Sequence, residues 1–375
     1  MSKISDPIII GFPQLSKQLT QRILRFKDEL FLTSYMIGDA NESGGLRGVF
    51  ICRDKPDPTF LKRLYPQGYV MEREKTFLRN KLPYVFNHIP AGIDFVLADA
   101  RARYARKYSR RFDNVKIIPK WVRQTNACFN GLSDFSQSKN RNAYSDIQAF
   151  KKYDYDYEFT KDVNLLGFFY EKMYCPYMHN RYPDEKVVLP FEAIKKEFED
   201  GGLLFVKEKT DGKYLSGSII QVINGTFSPV KLGILNGDLQ LLRRDVLTAL
   251  YVAYFRFMEE NKLSRGDFGN SRAFLNDGVL KYKEKWTTSI EFDQTQGSVF
   301  IFKACRFSES LNRFLLNNPF ITVEGEKLIG NIFLPPHTKV DEEALKKNYA
   351  LKGLAGFRVC YPHPEQTPME QAYFA

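Results

Sequence analysis

The chain has 375 residues, 43% hydrophobic and 26% charged, which is ordinary for a globular protein, leaves room for two domains with cores, and excludes general disorder. Its net charge of +11 favours an anionic partner or substrate, such as RNA, a phosphorylated cofactor, an acidic carrier protein or a charged surface, without choosing among them. No run reaches the roughly 18 to 20 apolar residues of a membrane span, and the start MSKISDPIIIGF lacks a secretory hydrophobic stretch, so a cytoplasmic protein with no membrane span is expected.

Residues 1–125 read as one α/β lobe, with strand-like runs at Val49 to Cys52, Phe95 to Ala98 and Val115 to Ile118. Between them RARYARKYSRR places Arg101, Arg103, Arg106, Lys107, Arg110 and Arg111 at helical spacing around Tyr104 and Tyr108. This is either a solvated helix face or a phosphate-contacting patch. The polar passage from Asn126 to Asn142 marks a boundary. Thr160 is then expected to cap a helix in which Val163, Leu166, Phe169 and Met173 form a buried stripe until Pro176 halts it. A shorter helix follows around Phe191, Ile194 and Phe198.

Three strands come next, Leu203 to Val206, Tyr214 to Ile223 and Thr226 to Leu232, separated by Asp211-Gly212 and Asn224-Gly225. Those dipeptides between β-rich runs signal hairpins, so an antiparallel meander is expected. A long helix runs from about Leu242 to Asn261, with Val246, Leu250, Ala253 and Phe257 on one face. After the Gly266-Asp267-Phe268-Gly269 turn the reading adds strands at Thr288 to Phe292 and Ser298 to Ala304, a helix near Glu309 to Leu316, and a strand pair at Phe320 to Val323 and Leu328 to Phe333. Residues 126–335 thus form a second unit, and 336–375 a proline-bearing tail with one helix from Asp341 to Tyr349.

The five cysteines are scattered and never paired as CxxC, which suits reduced, mostly buried thiols. The four histidines are far apart as well, and no metal site is expected. No GxSxG elbow or recognisable Cys/His arrangement points to a covalent nucleophile.

Four local words carry a resemblance: Pro176-Tyr177 with Arg181, Gly233 with Gly237-Asp238, Asp267-Phe268-Gly269 with Ser271, and Gly278 followed by Tyr282-Lys283 and Trp286. In this order, within the succession of two helices, a meander, a long helix and a strand, they resemble the Fem-type aminoacyltransferase branch of the GNAT superfamily. The resemblance covers about residues 130–295. It implies a GNAT-like α/β (α+β) fold, a mixed and largely antiparallel sheet flanked by helices, with a degenerate GNAT-like first lobe. It also implies an N-acyltransferase forming an amide on an amine-bearing acceptor, with no tightly bound cofactor.

In such enzymes the acyl carbonyl is held by backbone donors at a splayed strand, and catalysis is largely positional. By the resemblance Lys283 stabilises charge on the acyl carbonyl; the other reading is a surface lysine alternating with Lys281 and Lys285 on a strand. Asp267 either orients and deprotonates the amine or caps the turn before Gly269, with Tyr282 beside the lysine as a third catalytic candidate. Tyr177 and Arg181 are candidates to bind a carboxylate or phosphate on the acceptor, followed by Lys139 and Arg141. Gly233, Gly237, Arg243 and Arg244 are the candidates for gripping the donor at the entry to the long helix.

That entry reads GILNGDLQLLRRD, with bulky leucines where the QxxGxG/A turn of acetyl-CoA-dependent relatives is small. Weight therefore shifts toward a larger acidic carrier, aminoacyl-tRNA or acyl carrier protein, while acyl-CoA remains open. A catalytically silent GNAT-like module that binds RNA or a protein is the reading from another class.

Overall fold

The computed structural model describes residues 31–40, 45–53, 55–109, 115–137, 140–182, 188–294, 297–363 and 366–373. The chain adopts the expected mixed α/β architecture, with largely antiparallel sheets flanked by helices. The first sheet has the order β3-β1-β2-β4-β13-β5, built from β1 (Phe31–Asp39), β2 (Arg47–Cys52), β3 (Tyr69–Leu78), β4 (Phe95–Arg101), β5 (Val115–Pro119) and the late strand β13 (Ser298–Ala304). Period-two alternation turns Phe50, Phe95, Leu97, Phe300 and Phe302 to one face and Val49, Ile51, Val96, Ala98, Val299 and Ile301 to the other. Helix α1 (Pro58–Leu64) covers the first face, where the Phe60 ring centroid lies 4.6 Å from that of Phe300. Helices α2 (Leu82–Asn87) and α3 (Ala102–Ser109) cover the second. Helix α3 is the described part of the basic stretch; Arg110 and Arg111 lie outside the described residues.

The second sheet has the order β12-β6-β11-β10-β9-β8-β7, from β6 (Trp121–Asn126), β7 (Tyr155–Thr160), β8 (Gly201–Glu208), β9 (Tyr214–Ile223), β10 (Thr226–Ile234), β11 (Arg265–Arg272) and β12 (Ser289–Glu291). The meander is present, and Asn224 and Gly225, at φ 51° and 73°, supply the two positive φ angles that its tight β9–β10 turn demands. One face carries α4 (Arg141–Lys152) and α8 (Val246–Glu260). The other carries α5 (Asn164–Phe168), a π-helical turn at Phe169–Tyr174, α6 (Cys175–Arg181) and α7 (Phe191–Glu199). Short helix α9 (Gly278–Glu284) follows β11.

Several expectations need correction. Thr160 ends a strand, and the helix starts at Asn164, because Thr160 Oγ1 and Asp162 Oδ1 accept from the backbone N–H groups of Asp162 and Asn164 in a turn. Pro176 does not halt that helix. Proline has no N–H for the Lys172 carbonyl and its ring would crowd it, so the backbone widens into the π-helical turn and continues to Arg181. The long helix begins at Val246, since residues Leu239–Arg244 form a 3₁₀ turn and Asp245 sits at φ 55°.

The lobes also divide differently from the expected boundary. Strand β6 starts at Trp121 inside the second sheet, while β13 returns to the first sheet between β4 and β5, so neither sheet is confined to one side of residue 125. Residues 336–375 are not a tail. Beyond α10 (Glu309–Asn317), strands β14 (Phe320–Glu324) and β15 (Lys327–Phe333) continue, past α11 (Glu342–Tyr349), into β16 (Gly356–His363) and β17 (Gln366–Tyr373), forming a third sheet. Its Ile332, Phe357, Val359 and Cys360 join the core beneath the first sheet. Of the cysteines, Cys52 and Cys360 are buried and Cys175 partly so, whereas Cys128 and Cys305 are exposed, so the thiols are not mostly buried.

Candidate active site at the parting of two strands

Strands β10 and β11 pair in parallel only at Thr226 with Arg265 and Phe227 with Gly266. Beyond Phe227 they part. Strand β10 has a bulge between Pro229 and Lys231, and β11 shifts register against β6 between Asp267 and Asn270. The edge of β10 that faces β11 thus carries no ladder bonds to it past Phe227, and it is bent by the extra residue. Gly269 occupies the shift at φ 73°, a left-handed conformation that suits glycine.

Around this gap the α8 face contributes a cluster of aromatic residues. Tyr251 lies 5.1 Å from Tyr282, 5.3 Å from Tyr254 and 5.9 Å from Phe268 between ring centroids, and Phe227 lies 5.4 Å from Tyr254. The hydroxyl of Tyr254 is fully buried and has no hydrogen-bond partner. Ser218, whose Oγ donates to the Lys231 carbonyl at 2.7 Å, lies near it and keeps its acceptor sites. The Ser216 hydroxyl on the same strand is likewise buried and unpartnered. Buried hydroxyls without partners cost stability, and a bound polar group can relieve that cost.

Lys283 reaches this region from α9. Asp277 Oδ1 accepts from Val279 and Leu280 N–H at 3.0 Å and caps the helix. Because the segment is helical and not a strand, Lys281, Lys283 and Lys285 do not share a side: Lys281 is exposed, while Lys283 is 9% exposed. Lys283 Nζ donates to the Asn270 carbonyl at 3.0 Å. Burial pushes its ammonium down to about 8, against the pull of Asp267 and Asp277 and assisted by the positive charge of Arg181. Lys285 instead pairs with Asp146 of α4. Beside Lys283, the Tyr282 hydroxyl makes a long contact of 3.4 Å to Thr248 Oγ1, and burial raises its phenol.

Arg181 and Tyr177 lie on the opposite face of the sheet, at the end of the π-widened helix. Arg181 donates to the Tyr177 hydroxyl, which is itself buried. The Arg181 charge acts on both Lys283 and Tyr251 across the sheet. An intact pair of strands would separate these groups; the parting lets both faces meet. Of the residues chosen from sequence, Arg181 with Tyr177 on one face thus lies within electrostatic reach of Lys283, beside Tyr282, on the other.

Asp267 is close by, yet its carboxylate is occupied. Oδ1 accepts from Gly269 N–H at 2.9 Å, and Oδ2 lies 3.2 Å from Arg123 Nε. The turn-capping alternative is thus the one its geometry displays. The glycines of the donor-grip expectation also have packing partners. A Cβ on Gly233 would come within 2.5 Å of Met173 C, and one on Gly237, at φ 65°, within 2.6 Å of Pro176. Both let the end of β10 lie against the π-helical turn and α6, and Asn180 Nδ2 donates to the Gly237 carbonyl at 2.9 Å.

Arg243 is exposed, and Arg244 is tied to Glu208 while its carbonyl accepts from Tyr155. Both precede α8 rather than opening it, because Asp245 breaks the run. Arg141 opens α4 and is exposed, and Lys139 lies outside the described residues. Sequence reasoning missed Tyr251, Tyr254, Ser218 and Arg123. The hydroxylated pair in the apolar YVAYF run of α8 was the available signal, since a buried phenol needs a partner.

Two clefts elsewhere hold none of these side chains, one of about 200 Å³ between α1 and α10 and one of about 530 Å³ between α4 and the end of α8. Among the described residues no group of three or more His, Cys, Asp or Glu side chains could hold a metal ion. Among them no helix is long and apolar enough to cross a membrane.

No family model and no curated protein matches the sequence. Solved structures similar to this chain include L-PGS from Bacillus licheniformis, at 11% identity and a TM-score of 0.38, over 75% of this chain and 83% of that one. FemX is similar at 12% identity and a TM-score of 0.38, over 68% and 81% of the two chains. A GCN5-related N-acetyltransferase from Sphaerobacter thermophilus is similar at 10% identity and a TM-score of 0.29, over 72% and 76%. These similarities concern the fold. The succession of helices, meander, long helix and parting parallel strand makes the second sheet GNAT-like in the chain's own topology.

Proposed function

We propose that the chain is a FemAB-like N-acyltransferase, which moves an acyl or aminoacyl group from an activated carrier to an amine at the parting of β10 and β11. The observation that carries this reading is the buried Lys283 ammonium, held to the Asn270 carbonyl of β11 past the point where that strand leaves β10. The amine nitrogen would form the C–N bond to the acyl carbon. The ester oxygen or thioester sulfur of the carrier would leave with the electron pair of the broken bond and take up a proton. Backbone N–H groups on the free edge of β10 and the Lys283 ammonium are the donors for the negative charge that gathers on the carbonyl oxygen. Such a cation acts most strongly where water is excluded.

Arg181 with Tyr177 is the candidate hold on an anionic group of the acceptor, because a guanidinium fork suits carboxylate or phosphate. The donor reading favours a large acidic carrier, aminoacyl-tRNA or acyl carrier protein, over acyl-CoA. Its support is the helix entry, where a 3₁₀ turn bearing exposed Leu239 and Leu242 leads into α8 in place of a small glycine-rich phosphate loop.

Replacing Lys283 with Ala, with folding checked by circular dichroism, is expected to lower amide formation by about 100-fold or more, as for loss of one oxyanion donor. Unchanged turnover would remove Lys283 from the chemistry. Thermal shifts with CoA, charged tRNA and acylated carrier protein identify the donor, since a ligand of the folded state alone raises the melting temperature. Salt-sensitive RNA binding with no amide product across a broad donor panel would instead indicate a binding module.

A further inference from the structure

Helix α1 belongs to the first sheet, yet its two ends grip the connection between β11 and α9. At its start, Asp57 Oδ1 accepts from Phe60 N–H at 3.1 Å and lies 3.7 Å from Arg272 NH1, at the last residue of β11. At its end, the Arg63 guanidinium carbon sits over the Phe274 ring, 4.2 Å from the centroid. Arg63 NH1 donates to Asn276 Oδ1 at 2.8 Å and to Asn318 Oδ1 at 3.3 Å, and NH2 lies 3.6 Å from Asp277 Oδ2. Asp277 uses its other oxygen to cap α9. Asn276 is held a second time, as its Nδ2 donates to the Asn317 carbonyl at 2.6 Å.

The partners are separated by 213 and 255 residues in sequence, so this is not local turn chemistry. A planar guanidinium that stacks and donates together fixes position and orientation, which an ammonium cannot do. From this geometry we infer that Arg63 is a positioning residue, through which the first lobe sets the cap of α9 and thereby the placement of the Lys283 ammonium against Asn270. The inference rests on reading Lys283 as the cation of the reacting site. It gives the first lobe a task in that chemistry without any contact to substrate.

Loosening α9 would admit water to Lys283 and leave Asp277 without the Arg63 charge. Both effects favour the ammonium, so its titration would move up. The charged groups acting on it are Asp267 from β11, Asp277 from the cap and Arg181 from α6. The measurement is a pH titration of the full chain labelled with ¹³C at lysine Cε, with the Lys283 resonance assigned from its loss in Lys283→Arg. The expected midpoint is about 8 in the native protein, and Arg63→Ala is expected to raise it by about one pH unit or more. Arg63→Lys, which keeps the charge without the fork, is expected to give a smaller rise.

Arg313→Ala, in the exposed pair with Glu309 on α10, is the control and is expected to leave the midpoint unchanged. Should Arg63→Ala fail to fold, Asp57→Asn and Arg63→Lys carry the same test. A Lys283 midpoint that stays at the native value in these folded variants overturns the inference. No substrate enters the titration, so the clamp can fail while amide formation by the native protein stands. Equally, full turnover by Lys283→Ala would remove Lys283 from the chemistry while leaving the clamp measurable.

Discussion

Lys283 is expensive to keep where it is. Its ammonium is 9% exposed, makes one hydrogen bond to a carbonyl and is pushed down to about 8 from the ordinary 10.5, so the folded state holds this charge at a cost below pH 8. Lys283→Met, which fills similar volume without charge, is expected to stabilise the protein at pH 7 by about 2 kcal/mol even as it removes activity. Between about pH 8 and 10.5 the unfolded chain binds the proton that the folded chain has lost, so native stability rises with pH there and the advantage of the Met variant shrinks. Urea denaturation at pH 7 and pH 10 measures both effects; a Met variant less stable than native at pH 7 would contradict the account. The residue itself was legible in the sequence through the Tyr282-Lys283 pair, but its inward aim was not. Alternation along KYKEK suggested a strand, and only the Asp277 cap turns the segment into a helix.

Whole elements were legible where local rules act alone. Asn224-Gly225 produces its hairpin because both residues readily take the positive φ angles of that turn, and the α8 core stripe needs only its apolar residues. Elements shaped by contacts with distant residues were not legible. The π-helical turn is one: Pro176 reads as a stop, yet the backbone widens and goes on to Arg181, with Gly233 and Gly237 letting β10 and the turn after it lie against it. Gly233→Ala is therefore expected to destabilise by about 3 kcal/mol, since a methyl 2.5 Å from a main-chain carbon has no flexible side chain to displace. Chemical denaturation checks this, and a loss below about 0.5 kcal/mol would show that the contact relaxes easily. Strand β7 escaped the reading for a related reason, as its pairing partner lies 40 or more positions away, and β16 likewise meets β15 across α11.

At the scale of the molecule, the two large sheets exchange strands. β13 is inserted between β4 and β5, and β12 pairs with β6 on the other sheet just six residues earlier in the chain. The third sheet then seals the core under the first. Units joined in this way are expected to melt together. Calorimetry and near-ultraviolet circular dichroism should report one coincident transition, with calorimetric and van't Hoff enthalpies agreeing; two resolved transitions would mean that the lobes are separable. Sequence composition offered a polar passage as the boundary because it senses local polarity and not which strand a residue will meet.

The placement of β13 also orders events during synthesis. Strand β5 joins the first sheet only through β13, so among the described strands it has no ladder partner until residues 298–304 are made. The first sheet therefore cannot be finished as an amino-terminal unit while the remainder is being made. Because Lys283 precedes β13 in the chain, the segment that carries it is made before the first sheet can be completed.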